Sequence, residues 1–132
     1  MPKLTEARSS AVEYDGAAII IHNSGVLDLV NAVTEQAGFL VPFAATIKEV
    51  RSRVRVACGT GPGLAQLKGV EKGGTAYAEQ SHATTDAAGT DLVWTITDAV
   101  VPAGEVLYFA GDGGATGTGS VDVTVVLVPA QA

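Results

Sequence analysis

A chain of 132 residues with 47% hydrophobic and 17% charged side chains has the composition of one folded domain and excludes a disordered polyelectrolyte. Fourteen acidic against eight basic residues give a formal net charge of −6, which repels phosphate backbones and argues against a nucleic-acid partner. The single cysteine, Cys58, excludes an intrachain disulfide, and no Cys/His cluster with zinc-ligand spacing accompanies it.

The segment Met1 to Ser10 is polar and lacks the apolar stretch of a signal peptide, so residues 1–12 read as an N-terminal arm and residues 13–132 as the folded domain. The longest aliphatic run, Ala17 to Ile21, is far shorter than the ~20 residues that cross a bilayer, and no membrane partner is expected. The protein is expected to be made and kept soluble in a reducing compartment or on a particle assembled there, with Cys58 as a small buried hydrophobe.

Beyond the arm the dominant period is two. Strands are expected near 17–22, 26–33, 45–58, 64–70, 74–78, 91–97, 105–110 and 120–128. Val26 to Gly38 fits two readings. Val26, Leu29, Val30, Val33 and Ala37 form a helical stripe between Ser24 and Gly38, but the flanking strands favour an extended segment. From Val50 to Cys58 the alternation is strict: Val50, Ser52, Val54, Val56 and Cys58 share one face, and Arg51, Arg53, Arg55 and Ala57 the other. Asp91 to Thr97 places Leu92, Trp94 and Ile96 inward, with Trp94 expected in the core. Val121, Val123, Val125 and Leu127 do the same near the C-terminus, where Val126 and Val128 suggest cover on both faces.

Turn signals separate these strands at short intervals: Asn23 to Gly25, Gly59 to Gly63, Glu71 to Gly74, Asp86 to Gly89, Val101 to Gly104 and Gly111 to Gly119. The pattern predicts an all-β fold, a single-domain antiparallel β-sandwich or jelly roll of about eight strands.

Chemistry-bearing motifs are missing. His22 and His82 lie in no nucleophile motif and read as structural, and no Gly-x-Ser-x-Gly elbow occurs. Gly59 to Gly63 lacks the Lys-Ser/Thr ending of a phosphate loop. Asp112 and Asp122 lie in no calcium-loop spacing. No catalytic residue, metal site or cofactor is therefore assigned, and the chain is not expected to be an enzyme.

One feature departs from chance. Arg51, Arg53 and Arg55 are three of the eight basic residues, aligned on one strand face. Two readings stand: a solvated face partnered by carboxylates on the next strand, or a contact surface for another protein chain. The scarcity of aromatic residues, 5%, weakens both single-stranded nucleic-acid and sugar binding.

Gly38 to Val56 (Gly-Phe-Leu-Val-Pro-Phe-Ala-Ala-Thr-Ile-Lys-Glu-Val-Arg-Ser-Arg-Val-Arg-Val), the Val101-Pro-Ala-Gly-Glu105 turn, and the Gly111-Asp-Gly-Gly-Ala-Thr-Gly-Thr-Gly119 hairpin before a valine-rich last strand together resemble small decoration (cement) proteins of tailed-bacteriophage heads. The resemblance covers about half the chain and carries no catalytic signature. It implies a structural virion protein, made in the host cytoplasm, that binds the major capsid protein on the outer capsid surface as a homo-oligomer, a trimer in particular. It also implies that Lys3, Leu4 and Arg8 of the arm join Arg51, Arg53 and Arg55 as protein-interface residues. Head fibres and tail-associated β-domains that bind host-surface glycans share the style, and Tyr77 and Trp94 are the aromatics such a site would use.

Overall fold

The computed structural model describes residues 11–14 and 17–130, all strand, turn or loop. Eleven strands form: β1 (Ala11–Tyr14), β2 (Ala17–Asp28), β3 (Val33–Val41), β4 (Ala45–Val56), β5 (Gly63–Gly69), β6 (Ala76–His82), β7 (Asp91–Val93), β8 (Thr95–Ile96), β9 (Val100–Val101), β10 (Glu105–Gly111) and β11 (Ser120–Pro129). They pair antiparallel into two sheets. One has the order β1-β2-β11-β4-β7 with β9 also on β4, and the other the order β3-β10-β5-β6-β8.

Without the short β1, β8 and β9, these are two four-stranded sheets, β2-β11-β4-β7 and β3-β10-β5-β6, which is the double Greek-key order of a jelly roll. The chain changes sheet at every connection except β1–β2 and β5–β6. Almost every strand thus pairs with one distant in sequence, and each inward side chain meets side chains from the opposite sheet.

The core follows from the period-two pattern. Val121, Val123, Val125 and Leu127 on β11 and Leu107 and Phe109 on β10 are wholly buried. Val50 and Val54 on β4 and Ala65 and Leu67 on β5 join them in one cluster with Trp94 and Cys58, as expected for the last two. Full burial of an aliphatic side chain of this size contributes roughly 1.5–3 kcal/mol, so the β11 row alone is a large part of the stability.

Several expected boundaries move, each for a local reason. Asn23 to Gly25 is not a turn. It is a bulge inside the continuous strand β2, where the register with β11 jumps from Asp122↔Val26 to Thr124↔Asn23. Gly25 supplies the left-handed φ of +70°, Asn23 Oδ1 accepts the Gly25 N–H at 2.7 Å, and the Ser24 hydroxyl accepts the Val123 N–H at 3.0 Å in place of the lost ladder bond.

The segment 26–38 is neither one strand nor a helix. It ends β2, bends at Leu29 to Asn31 and begins β3. The Asp28 carboxylate takes the N–H groups of Val30 and Asn31, and Leu29 is pinned between the Gly119 carbonyl and the Ala115 N–H, which leaves no helical ladder to form.

Two further corrections concern β4 and the Asp91–Thr97 segment. Bulges at Lys48 and Arg55 interrupt the register of β4 with β11. The second one turns Val56 outward, 47% exposed, where strict alternation placed it inward. Asp91 to Thr97 divides at Trp94: β7 belongs to one sheet and β8 to the other, so this stretch closes one side of the sandwich. The opposite side is closed by Gln36, whose amide donates to the Ser24 and Val26 carbonyls at 3.1 and 2.7 Å, and by His22, whose Nε2 lies 3.1 Å from the Ala37 carbonyl. β1 starts at Ala11, so the first strand straddles position 12, where the arm was expected to end.

Candidate functional site

On the outer face of the β2-β11-β4-β7 sheet, the strand register sets side chains into lateral rows. One row runs Val26, Asp122, Arg53, Asp91, and the next runs Asn23, Thr124, Arg51, Val93. Ile21, Val126 and Glu49 form a third. The Arg51–Arg53–Arg55 alternation therefore does what period two requires and faces away from the core.

Each arginine has a carboxylate partner. Arg53 grips Asp91 of β7 in a two-bond fork, Nε to Oδ1 at 2.9 Å and Nη2 to Oδ2 at 3.0 Å. Arg55 reaches Asp122 of β11 at 2.9 Å, and Arg51 reaches Glu49 on its own strand at 3.1 Å. The fork holds the Asp91 carboxyl below the usual carboxylate range and raises the Arg53 guanidinium. The partnered reading of this row is thus correct for Arg53 and Arg55, with the next strands supplying the acids. For Arg51 the partner lies two residues away on β4.

Between these rows lies a hollow of about 320 Å³ lined by Asn23, Arg51, Ser52, Arg53, Asp91, Asp122 and Thr124. Asn23 Nδ2 donates to Thr124 Oγ1 across it at 2.9 Å. On the other sheet, Leu64, Glu79, Gln80, Ser81, Thr95 and Thr97 line a second hollow of about 260 Å³.

Two buried polar groups escaped sequence reasoning. The Ser52 hydroxyl lies 2.7 Å from His82 Nε2, Trp94 Nε1–H donates to the same hydroxyl at 2.9 Å, and His82 Nδ1 meets the Gly63 carbonyl at 3.1 Å. A Ser–His contact has the outline of a nucleophile and its base. Here both residues are only 1% exposed and the serine oxygen already accepts from the indole, so the chain of bonds ties the two sheets together. Desolvation holds His82 below the ordinary imidazole range, with the Gly63 carbonyl opposing.

The second group is Glu105, fully buried, whose Oε2 accepts the Tyr77 hydroxyl at 2.7 Å and whose Oε1 accepts the N–H groups of Glu71 and Val106 at 2.9 Å each. Burial and the Glu105 bond push the Tyr77 phenol up. Gly69 on the neighbouring strand β5 leaves room for the carboxylate, since a Cβ there would come within 2.5 Å of Glu105 Oε2, and no sequence motif marked the pair.

Tyr77 and Trp94, 1% and 4% exposed, are core residues and offer no stacking platform for a sugar. Lys3, Leu4 and Arg8 lie outside the described residues. Among the described residues no group of three or more His, Cys, Asp or Glu side chains is placed to hold a metal ion.

No protein-family model matches this chain, and no curated protein matches it in sequence. Among solved structures, it is similar to a chain of the cyanophage Pam1 capsid asymmetric unit, with a TM-score of 0.54 and 17% identity over 98% of both chains. At that identity the likeness is one of fold, and it extends over essentially the whole length of each partner.

Proposed function

We propose that this chain is a structural protein of a bacteriophage virion that decorates and stabilises the outside of the capsid through protein–protein contacts. The observation that carries the reading is the end-to-end match in fold to a chain of a phage capsid asymmetric unit. The internal chemistry agrees with a scaffold. The Ser–His and Tyr–Glu groups are consumed in tying the sandwich together, and the outer sheet face is an array of paired charges and valines around a shallow hollow. A jelly roll whose sides are closed by the Trp94 sheet switch and by Gln36 presents little free strand edge there, which suits a protein present in many copies.

In this reading the partner is the major capsid protein, attachment follows synthesis in the host cytoplasm, and neither nucleic acid nor membrane takes part. A homo-oligomer, with a trimer favoured, multiplies individually weak contacts by avidity. Lys3, Leu4 and Arg8 add an arm contact to the shell. The glycan-binding alternative loses the aromatic platforms it needs, because Tyr77 and Trp94 are buried.

The test is a particle that lacks this chain. Virions assembled without it are expected to form but to lose their DNA at lower temperature or lower salt, and added purified protein is expected to restore resistance. Particles in which the chain is undetectable by mass spectrometry, or whose stability is unchanged by its loss, would overturn the proposal.

A further inference from the structure

We infer that the outer face of the β2-β11-β4-β7 sheet is the docking face, and that its occupant is a flat, carboxylate-bearing protein surface that seats one acidic side chain on Arg51. This rests on the shell-binding reading above and names the surface and the chemistry of its partner.

Apolar exposure is concentrated here. Of the seven large hydrophobic side chains exposed among the described residues, Ile21, Val26, Val56, Val93 and Val100 lie on this face. Their registers place them around the arginine row: Val93 opposite Arg51, Val26 opposite Asp122, Ile21 opposite Val126 and Val100 opposite Thr46. Exposed apolar side chains beside arginine give this face both area to bury and the charged residue type enriched at interface centres.

Charge points the same way. Lys48, Arg51, Arg53 and Arg55 stand on this face against Asp28, Glu49, Asp91 and Asp122, so it is neutral and the formal −6 of the chain lies elsewhere. An acidic surface approaching within the ~8–10 Å screening length meets repulsion on the rest of the protein and none here.

The hollow defines what the partner must bring. Arg53 spends two N–H groups on Asp91, whereas Arg51 makes one bond, from Nη2 to Glu49, and borders the hollow beside Thr124. The Thr124 oxygen accepts from Asn23, and its proton bonds to none of the described residues. A guanidinium has five donors, and covering this face strands those of Arg51 unless the partner supplies acceptors. A carboxylate does so with matched fork geometry.

The experiment is co-sedimentation of the full chain with empty shells assembled from the phage major capsid protein, across a salt series. Arg51→Glu is expected to weaken shell binding at least tenfold, and Val93→Asp, at the exposed Val93 side chain of β7, at least fivefold. Arg51→Lys is expected to retain part of the affinity, and Lys68→Glu on the other sheet to stay within twofold of the unaltered protein. Thermal unfolding of each variant checks that the fold survives.

If the unaltered protein binds shells and both Arg51→Glu and Val93→Asp bind equally well, the face is wrong while shell attachment stands. If those variants instead change the mass of the free protein in solution and not its shell binding, the occupant is a second copy and the inference fails. If the unaltered protein does not bind shells, the inference falls together with the reading beneath it.

Discussion

The Ser52 hydroxyl and the His82 ring, 2.7 Å apart, join strand β4 of one sheet to strand β6 of the other through the middle of the sandwich. The Gly63 carbonyl accepts from Nδ1, so Nε2 is the acceptor and Ser52 donates to it while receiving the Trp94 N–H. The arrangement has one consistent direction for its protons. Protonating His82 makes Nε2 a donor, sets it against the serine proton and the indole N–H, and leaves a buried donor without an acceptor.

Stability is therefore expected to fall in mild acid. Burial keeps the folded-state pKa of His82 below its ordinary 6.5, so below that value the unfolded chain binds the extra proton first. The His82 contribution is level above about pH 7.5 and declines as pH drops through 6.5 toward the folded value. His22, also lowered by burial, contributes in the same window. Urea unfolding at pH 7.5, 6.0 and 5.0 reads the decline, and His22→Gln should keep most of it. A flat profile over this range contradicts the account.

Ser52→Ala removes the shared oxygen and strands the Trp94 N–H and His82 Nε2 in the core. At about 1–3 kcal/mol for each buried unpaired group, a clear drop in the urea midpoint is expected, with the secondary structure unchanged by circular dichroism. A loss under 0.5 kcal/mol would mean that water enters the site.

Glu105 and Gly69 are expected to be coupled. Glu105→Ala leaves two backbone N–H groups and the Tyr77 phenol unpaired and should cost about 3 kcal/mol or more. Gly69→Ala forces a methyl against the carboxylate and should cost about 1–3 kcal/mol. In the double variant the clash with the carboxylate is gone and only that with the Tyr77 ring, 2.7 Å away, remains, so the combined loss should be smaller than the sum of the two separate losses.

Gln36→Ala tests the sealed side of the sandwich. Its amide covers the Ser24 and Val26 carbonyls as a strand would. Without it, that stretch of β2 becomes an open edge, and light scattering at high concentration should show concentration-dependent association beyond the mass of the unaltered protein. Monodisperse behaviour would show that packing of β3 alone closes the edge.

Exposed ion pairs are expected to matter little for folding. Arg53→Gln breaks the fork with Asp91, but the Arg53 side chain is 62% exposed, and solvent already screens the pair. Its melting temperature should stay within error of the unaltered protein, unlike that of Ser52→Ala.

The alternation of Val50, Ser52 and Val54 against Arg51, Arg53 and Arg55, and of the β11 valines against Asp122 and Thr124, was legible in the chain because side-chain direction in a strand depends on local geometry alone. The all-β class, the burial of Trp94 and Cys58, and the outward arginine row followed from it. The partners of those arginines did not, since Asp91 and Asp122 reach β4 only through strand order and register. The glycine at position 25 read as a turn because a left-handed residue looks the same in sequence whether it ends a strand or bulges it. Only pairing with β11 decides between the two. Glu105 and His82 carried no local mark of burial, because what makes a buried polar group tolerable is a partner from another strand. What the sequence settled by itself was which side chains share a face. What the tertiary structure decided was which faces meet, because hydrogen-bonded registers between distant strands are set by the packing of the whole sandwich and not by any one segment.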